Sequence, residues 1–169
     1  MIVRELDDDS AVVAMVDSNL QQREKILPSE KAWAYKLKMD ALYHSSKKSD
    51  KRSHEIISEQ TGESKNTVFR LLRLTEFAEK LLDKADSREL AFNTAVELSY
   101  LSFDEQHIVA DCMTRHEIKP SLSQAIRLKK MKQAGTLTAE VIDKALSEEK
   151  KPETASPTSS AHYRKFFPP

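Results

Sequence analysis

Apolar residues recur at three- and four-residue spacing along most of this chain, which is the pattern of amphipathic helices. The pattern is clear after Pro28, where Ala32, Tyr35, Met39 and Leu42 would form one apolar stripe. Proline suits the first turn of a helix, so the first well-defined helix is predicted from residues 27–28 to about 43–45. Further helices are predicted at residues 53–60, 64–74, 76–84, 88–100, 103–115, 121–134 and 138–149.

The later helices have explicit start signals in the sequence. Ser102 with Glu105, and Ser121 with Gln124, have the spacing of a capping box, in which each side chain bonds a free backbone N–H group of the other residue. Thr138 can cap the last helix. These signals support the predicted helix starts in the second half of the chain.

The two ends of the chain differ from this middle part. Residues 11–16 fit a buried strand and a helix equally well, so the element formed by the first 26 residues is left open. Residues 45–52 form a loop by composition, and residues 150–160 a solvated linker. Three aromatics follow this linker and indicate the beginning of another unit. The prediction is an N-terminal arm at 1–26, a helical domain at 27–149, and a flexible linker at 150–169 toward a missing C-terminal unit.

The composition favours an all-helical fold. Gly62 and Gly135 are the only glycines, which leaves the chain poorly equipped for hairpins, phosphate loops and dinucleotide-binding folds. Gly135 stands where a helix end needs a left-handed residue. The single Cys112 lies in an apolar run, and we expect it in the core as a small buried residue. We expect Trp33 and the methionines in the core as well.

Charge and residue spacing exclude several classes of function. The 27 Lys and Arg residues balance 27 Asp and Glu residues, which excludes simple basic-tail binding to nucleic acid. No apolar run is long enough to span a membrane, and the acidic residues 7–9 lie where a secretory signal needs basic and then apolar residues. A cytoplasmic protein without membrane association is expected. The histidines show no metal-ligand spacing with the lone cysteine, so neither a metal site nor a catalytic group is predicted.

The most informative segment is residues 53–74, SHEIISEQTGESKNTVFRLLRL. A short helix ends at Gly62, and Ser64 is positioned to cap a second helix. The small Ser58 would let the second helix cross the first closely, with Val68 filling the crossing point. This spacing is typical of a DNA-binding helix-turn-helix, in which the start of the second helix enters the major groove.

The predicted second helix presents side chains suited to contacts with DNA. Asn can form two hydrogen bonds with adenine, Arg and Lys can bond the acceptors of guanine, and Ser or Thr can hold a phosphate at the helix start. The candidate DNA-binding residues are Lys51, Arg52, Ser64, Lys65, Asn66, Thr67, Arg70 and Arg73.

The neutral total charge hides an uneven distribution along the chain. Residues 45–73 contain seven basic and four acidic residues, a net charge of +3, and residues 115–132 contain six and one, a net charge of +5. Residues 76–105 contain three and eight, a net charge of −5. Two basic blocks around an acidic one suit phosphate contacts on one side of the molecule.

Together these residues resemble the central part of ParB-type partition proteins. Residues 17–24, DSNLQQRE, are similar to the family's ENLQRE-type box, and residues 27–32, LPSEKA, to the helix that follows it. The helix-turn-helix with residues 73–75 resembles the family's RLL-type continuation, and residues 95–101 resemble the helix after it. The resemblance covers about residues 11–135 and implies an all-α, multi-helix bundle containing a helix-turn-helix, like the ParB central domain.

The resemblance also implies a function. ParB-type proteins recognise an inverted-repeat centromere site in double-stranded DNA as dimers. The resemblance therefore implies a homodimer that takes part in plasmid, mobile-element or chromosome partition, associates with nucleoid or plasmid, and has a partition ATPase as a candidate partner. The family binds CTP and Mg²⁺ and hydrolyses CTP, which makes Asn19, Gln21 and Arg23 candidate phosphate contacts. The family's upstream GERR-type box is absent from this chain, so residues 1–26 would be a remnant of that nucleotide-binding region and no CTPase activity is expected of the chain alone. The alternatives are a helix-turn-helix repressor, a fragment of a CTP-dependent DNA clamp, and an all-helical protein-interaction adaptor whose helix pair only mimics a DNA-binding one.

Overall fold

The computed structural model describes residues 7–45 and 52–147. Over these residues the protein is all-helical, as predicted, and the loop around Lys51 and the linker at 150–169 lie outside them. The nine helices of this described part are α1 Asp8–Gln22, α2 Pro28–Ser45, α3 Ser53–Thr61, α4 Lys65–Leu74, α5 Glu79–Asp86, α6 Phe92–Leu98, α7 Phe103–His116, α8 Leu122–Gln133 and α9 Ala139–Ser147.

The segment that the sequence left open is helical. Asp7 caps α1 by accepting a hydrogen bond from the Ser10 backbone N–H at 2.7 Å. Hydrogen bonding by the Ser10 side chain, together with this backbone bond, holds the pKa of the Asp7 carboxyl below its usual value. Helix α1 packs against α2 through Val16, which is buried. Lys38 of α2 is fully buried and donates a hydrogen bond to Asp17 of α1. A buried ammonium needs such a partner, so this pair fixes the position of α1 on α2.

The predicted helix caps are present. Ser102 and Ser121 each start a helix with a complete capping box, α7 with Glu105 and α8 with Gln124. The Thr138 hydroxyl accepts a hydrogen bond from the Val141 N–H at 3.3 Å at the start of α9. The short polar spacings in the sequence were therefore sufficient to locate these helix starts.

Helices α5 and α6 begin later than the sequence predicted, at residues 79 and 92 instead of 76 and 88. The delay before α5 comes from the buried side chain of Gln106. Its Oε1 accepts from the Ala78 N–H at 2.6 Å, and its Nε2 donates to the backbone oxygens of Glu76 at 3.1 Å and Leu101 at 3.0 Å. These bonds satisfy turn groups that a helix would otherwise pair internally, so a residue distant in sequence determines the boundary.

Buried side chains form two hydrophobic clusters. The larger one joins α5 to α9 with the end of α4 and one residue of α2, and its centre includes Leu81, Val109 and Leu128. The smaller one contains four buried residues from α2, α3 and α4: Tyr35, Ile57, Val68 and Leu71. Helix α2 therefore supplies part of the core of the α3–α4 pair.

Cys112 is buried as predicted, with 1% of its surface exposed. Burial raises the pKa of its thiol to about 11, and the hydrogen bond that its Sγ donates to Asp143 acts in the same direction. The prediction that Trp33 lies in the core is wrong, because 54% of it is exposed, and Met15 is also half exposed. Trp33 is two positions before Tyr35, which places it about 200° away around the helix axis, on the outer side of α2.

Candidate nucleic-acid interface

The turn between α3 and α4 has the conformation that the sequence predicted. Gly62 has φ +71° and donates its N–H to the Ser58 oxygen at 3.0 Å, which ends α3. A Cβ atom at Gly62 would meet nothing within 4 Å, so glycine is favoured here by the left-handed backbone and not by lack of space. Ser58 contributes more than small size, since its hydroxyl donates to the Glu63 backbone oxygen at 2.6 Å.

Ser64 caps α4 as expected. Its Oγ accepts from the Thr67 N–H at 3.1 Å and lies 2.9 Å from the Thr67 hydroxyl. The Ser64 and Thr67 side chains are thus already bonded to each other, and both belong to the exposed start of the helix. The remaining backbone N–H groups of the first turn and the positive end of the helix dipole favour an anion at this position.

Helix α4 has one buried and one exposed side. Val68, Leu71 and Leu74 are buried in the two clusters. The opposite side, which we call the outer face of α4, consists of four exposed residues: Lys65, Asn66, Phe69 and Arg70. Three of these four were predicted to contact DNA, and the structure brings them together over two turns of one helix.

The polar groups of the outer face differ in how they are held. Lys65 Nζ lies 2.7 Å from Glu55 Oε1, and this hydrogen bond holds the pKa of the Glu55 carboxyl below its usual value. The side chains of Asn66 and Arg70 form no hydrogen bond or ion pair with any other residue in 7–45 or 52–147, so both side chains are available for an external partner. Arg52, also exposed, immediately precedes α3.

Arg73 has a different placement. Its Nη2 donates to the Ser99 backbone oxygen at 2.7 Å, and its guanidinium lies 4.5 Å from the ring centre of Tyr100. The Arg73 Nε is buried without a hydrogen-bond partner among the described residues. Lys129 of α8 lies 3.6 Å from the same Tyr100 ring. Arg73 is therefore directed toward α6 and α8, and this placement does not support the predicted contact with DNA.

The turn of the helix-turn-helix is attached to α2 by Glu63, which sequence reasoning did not identify. The Glu63 carboxylate accepts a hydrogen bond from Lys31 and another from the Tyr35 hydroxyl, the latter at 3.1 Å. Burial raises the pKa of Tyr35 to about 12, so this hydroxyl keeps its proton and remains a donor. Because both donors come from α2, the direction of α4 is tied to α2 as well as to α3.

The positive charge of residues 115–132 is smaller than the sequence suggested. Arg115 pairs with Asp143 at 3.3 Å, Lys129 with Glu97 at 2.9 Å, and Lys132 with Glu105 at 2.5 Å. At least three of the six basic groups in this block are thus partly neutralised by acidic residues from other helices. The basic block alone gives weak support for a second surface that contacts phosphates.

The three residues proposed to contact a nucleotide phosphate do not converge. Asn19 and Arg23 line a surface cavity of about 170 Å³, whereas Gln21 lines a different one of about 230 Å³. The Arg23 guanidinium lies 2.7 Å from Glu30, and hydrogen bonds from the Leu27 N–H and Arg23 hold the pKa of Glu30 below its usual value. Glu30 is thus a partner of Arg23, and the three predicted contact residues are divided between two cavities.

Neither a metal-binding cluster nor a membrane-spanning helix is present among the described residues, 7–45 and 52–147. In this part of the chain, no group of three or more His, Cys, Asp or Glu side chains is arranged to hold a metal ion. No helix there combines the length and the apolar character needed to cross a membrane.

Together the fold and this surface define an all-helical protein with a helix-turn-helix whose second helix has a polar, basic outer face. No family model matches the chain, and no curated protein matches it. Among solved structures it is similar to the C-terminally truncated chromosome-partitioning protein ParB from Caulobacter crescentus, complexed to the centromeric parS site, with 20% sequence identity and a TM-score of 0.49. The similarity covers 88% of this chain and 60% of that one, so the chain spans less than two thirds of that protein.

Proposed function

We propose that this protein binds double-stranded DNA with sequence specificity through α4. The observation that carries the proposal is the outer face of α4, where Lys65, Asn66 and Arg70 are exposed on one helix whose other side is buried. The side chains of Asn66 and Arg70 have no partner within residues 7–45 and 52–147, so DNA contacts by these two side chains would break no internal bond of this part of the chain.

The chemistry of these side chains suits the major groove. An Asn side chain pairs with adenine through two hydrogen bonds, and Arg pairs with the O6 and N7 atoms of guanine. Lys65 is paired with Glu55 near the surface, and such an ion pair contributes little free energy. Lys65 can therefore leave the Glu55 carboxylate and bind a phosphate or a guanine acceptor instead. The start of α4, with Ser64 and Thr67, would lie against a phosphate and fix the depth of the helix in the groove.

For the biological role we infer recognition of a centromere-like site in plasmid, mobile-element or chromosome partition. The support for this role is the resemblance of residues 17–24 and 53–75 to ParB-type proteins. In that role the chain would act as a homodimer on an inverted repeat and work with a partition ATPase. A repressor that binds an operator would use the same outer face of α4, and only the position of the target site separates the two roles.

The test is selection of bound sequences from a random duplex pool, followed by affinity measurements on the selected site. We expect the triple substitution Lys65→Ala, Asn66→Ala, Arg70→Ala to abolish discrimination between that site and random duplex, with the helical circular dichroism unchanged. A matched control, Asn93→Ala, Lys119→Ala, Lys130→Ala, removes one amide and two cations from exposed positions outside α4 and should retain discrimination. Discrimination by the α4 triple variant equal to that of the unaltered chain contradicts the proposal.

A further inference from the structure

One residue on the outer face of α4 is not polar. Phe69 lies in the second turn of the helix, three residues after Asn66 and next to Arg70, and 49% of it is exposed. It takes no part in the buried side of α4, where Val68 and Leu71 lie. A large aromatic side chain in this position is not explained by the core of the protein.

The ring of Phe69 is held in place on the surface. The His54 ring of α3 packs against it, with the ring centres 4.6 Å apart and an angle of 43° between the ring planes. The neighbouring residue of α3, Glu55, holds Lys65 through an ion pair. The start of α3 thus braces two side chains of the outer face, which lowers the entropy cost of presenting them to a partner.

The chemistry of an apolar side chain in the major groove points to one base. Thymine alone has a methyl group there, on C5, and it is recognised by apolar contact, as with a Phe side chain. Phe69 follows Asn66 by three residues, or about 4.5 Å along the helix axis. Base pairs are spaced about 3.4 Å apart, so with α4 lying along the major groove the two side chains would reach neighbouring base pairs.

We propose that Phe69 is a specificity-determining residue that contacts the C5-methyl group of a thymine, at a base pair next to the one contacted by Asn66. The inference rests on the proposed DNA binding by α4. His54 acts as a positioning residue, because it touches the Phe69 ring and orients it.

The experiment uses the full chain and the site obtained by selection from the random pool. Each thymine is replaced in turn by deoxyuridine, which removes only the methyl group and keeps the base-pairing and groove hydrogen-bond atoms. At one position in each half-site we expect binding to weaken about fourfold, the effect of exposing one buried methyl-sized group. The Phe69→Ala variant should bind thymine and deoxyuridine at that position equally.

The chain offers a matched control for this variant. Phe103 of α7 is also exposed and packs on a histidine, with its ring centre 4.5 Å from that of His107. Phe103→Ala removes the same group outside α4 and should keep the fourfold difference between thymine and deoxyuridine. The His54→Ala variant should reduce the difference, because the Phe69 ring loses its support.

The outcomes separate this inference from the function on which it rests. If the unaltered chain discriminates its selected site from random duplex but no deoxyuridine weakens binding, DNA recognition by α4 stands and the thymine contact is overturned. If Phe69→Ala keeps the full sensitivity to deoxyuridine, another residue contacts the methyl group and the proposal is also overturned. If no sequence is selected at all, the proposed function itself fails.

Discussion

The two glycines of the chain allow a controlled test of the turn between α3 and α4. Gly62 and Gly135 have nearly the same left-handed backbone, with φ +71° and +68°, and a Cβ atom would meet nothing within 4 Å at either position. Gly62 lies in the turn of the helix-turn-helix, whereas Gly135 follows α8. Substitution by Ala therefore introduces the same backbone strain at two sites with different functional consequences.

The expected cost follows from the absence of steric contact. A left-handed conformation costs an L-residue about 1–2 kcal/mol. The lower entropy of alanine in the unfolded chain returns about 0.4–1 kcal/mol of this. We therefore expect Gly62→Ala and Gly135→Ala each to lower the free energy of unfolding by about 1 kcal/mol, which corresponds to a fall in Tm of about 4 °C.

Urea denaturation measures the stability, and affinity for the selected duplex measures the function. Both variants should lose stability equally, but only Gly62→Ala should weaken DNA binding, because relaxation of its strain changes the angle between α3 and α4. The variant Gly62→Asn should lose less stability, since Asn tolerates the left-handed region better. An unchanged stability of Gly62→Ala, or a loss above about 3 kcal/mol, would refute the argument from backbone conformation alone.

Two further predictions concern the core. The variant Gln106→Ala should lower the free energy of unfolding by about 3 kcal/mol, because it removes the partner of three backbone groups in two buried hydrogen bonds and one part-buried one. Gln133→Ala at an exposed position should change it by less than about 0.5 kcal/mol. Equal effects of the two variants in urea denaturation would contradict the assigned role. Cys112 should react with iodoacetamide at pH 8 at least tenfold more slowly in the folded chain than in urea, because its thiol is buried and its pKa is raised to about 11. Reaction at the same rate in both states would show that the thiol is accessible.

Local signals in the sequence predicted the features that depend on neighbouring residues. The caps at Ser64, Ser102 and Ser121, and the left-handed Gly62, lie where short spacings placed them. These features were predictable because the hydrogen bonds that form them join residues three to five positions apart in the sequence. The same reasoning identified α4 as the helix with the candidate site.

Features that depend on distant contacts were not predictable in this way. The start of α5 is set by Gln106, which lies about thirty residues away in the sequence. Arg73 belongs to the basic block of residues 45–73, but its guanidinium is bonded to the Ser99 oxygen and lies on the Tyr100 ring. Likewise, the net charge of residues 115–132 does not include the carboxylates of other helices that pair with Arg115, Lys129 and Lys132. In each case the structure depends on a contact between residues far apart in the sequence, and the order of residues along the chain does not show which residues will meet.

The contacts at the two ends of α4 explain how the outer face is presented. Before its first turn, Glu63 is bound by Lys31 and Tyr35 of α2, and at its last turn Arg73 is bound to Ser99 and stacked on Tyr100. Each end of α4 is thus held by residues outside the α3–α4 pair, while the outer face of α4 is left exposed. Specific contacts need this fixed orientation, because a chain with no net charge gains little from general attraction to DNA. Recognition would therefore depend on how rigidly the surrounding helices hold α4, and less on the number of basic residues.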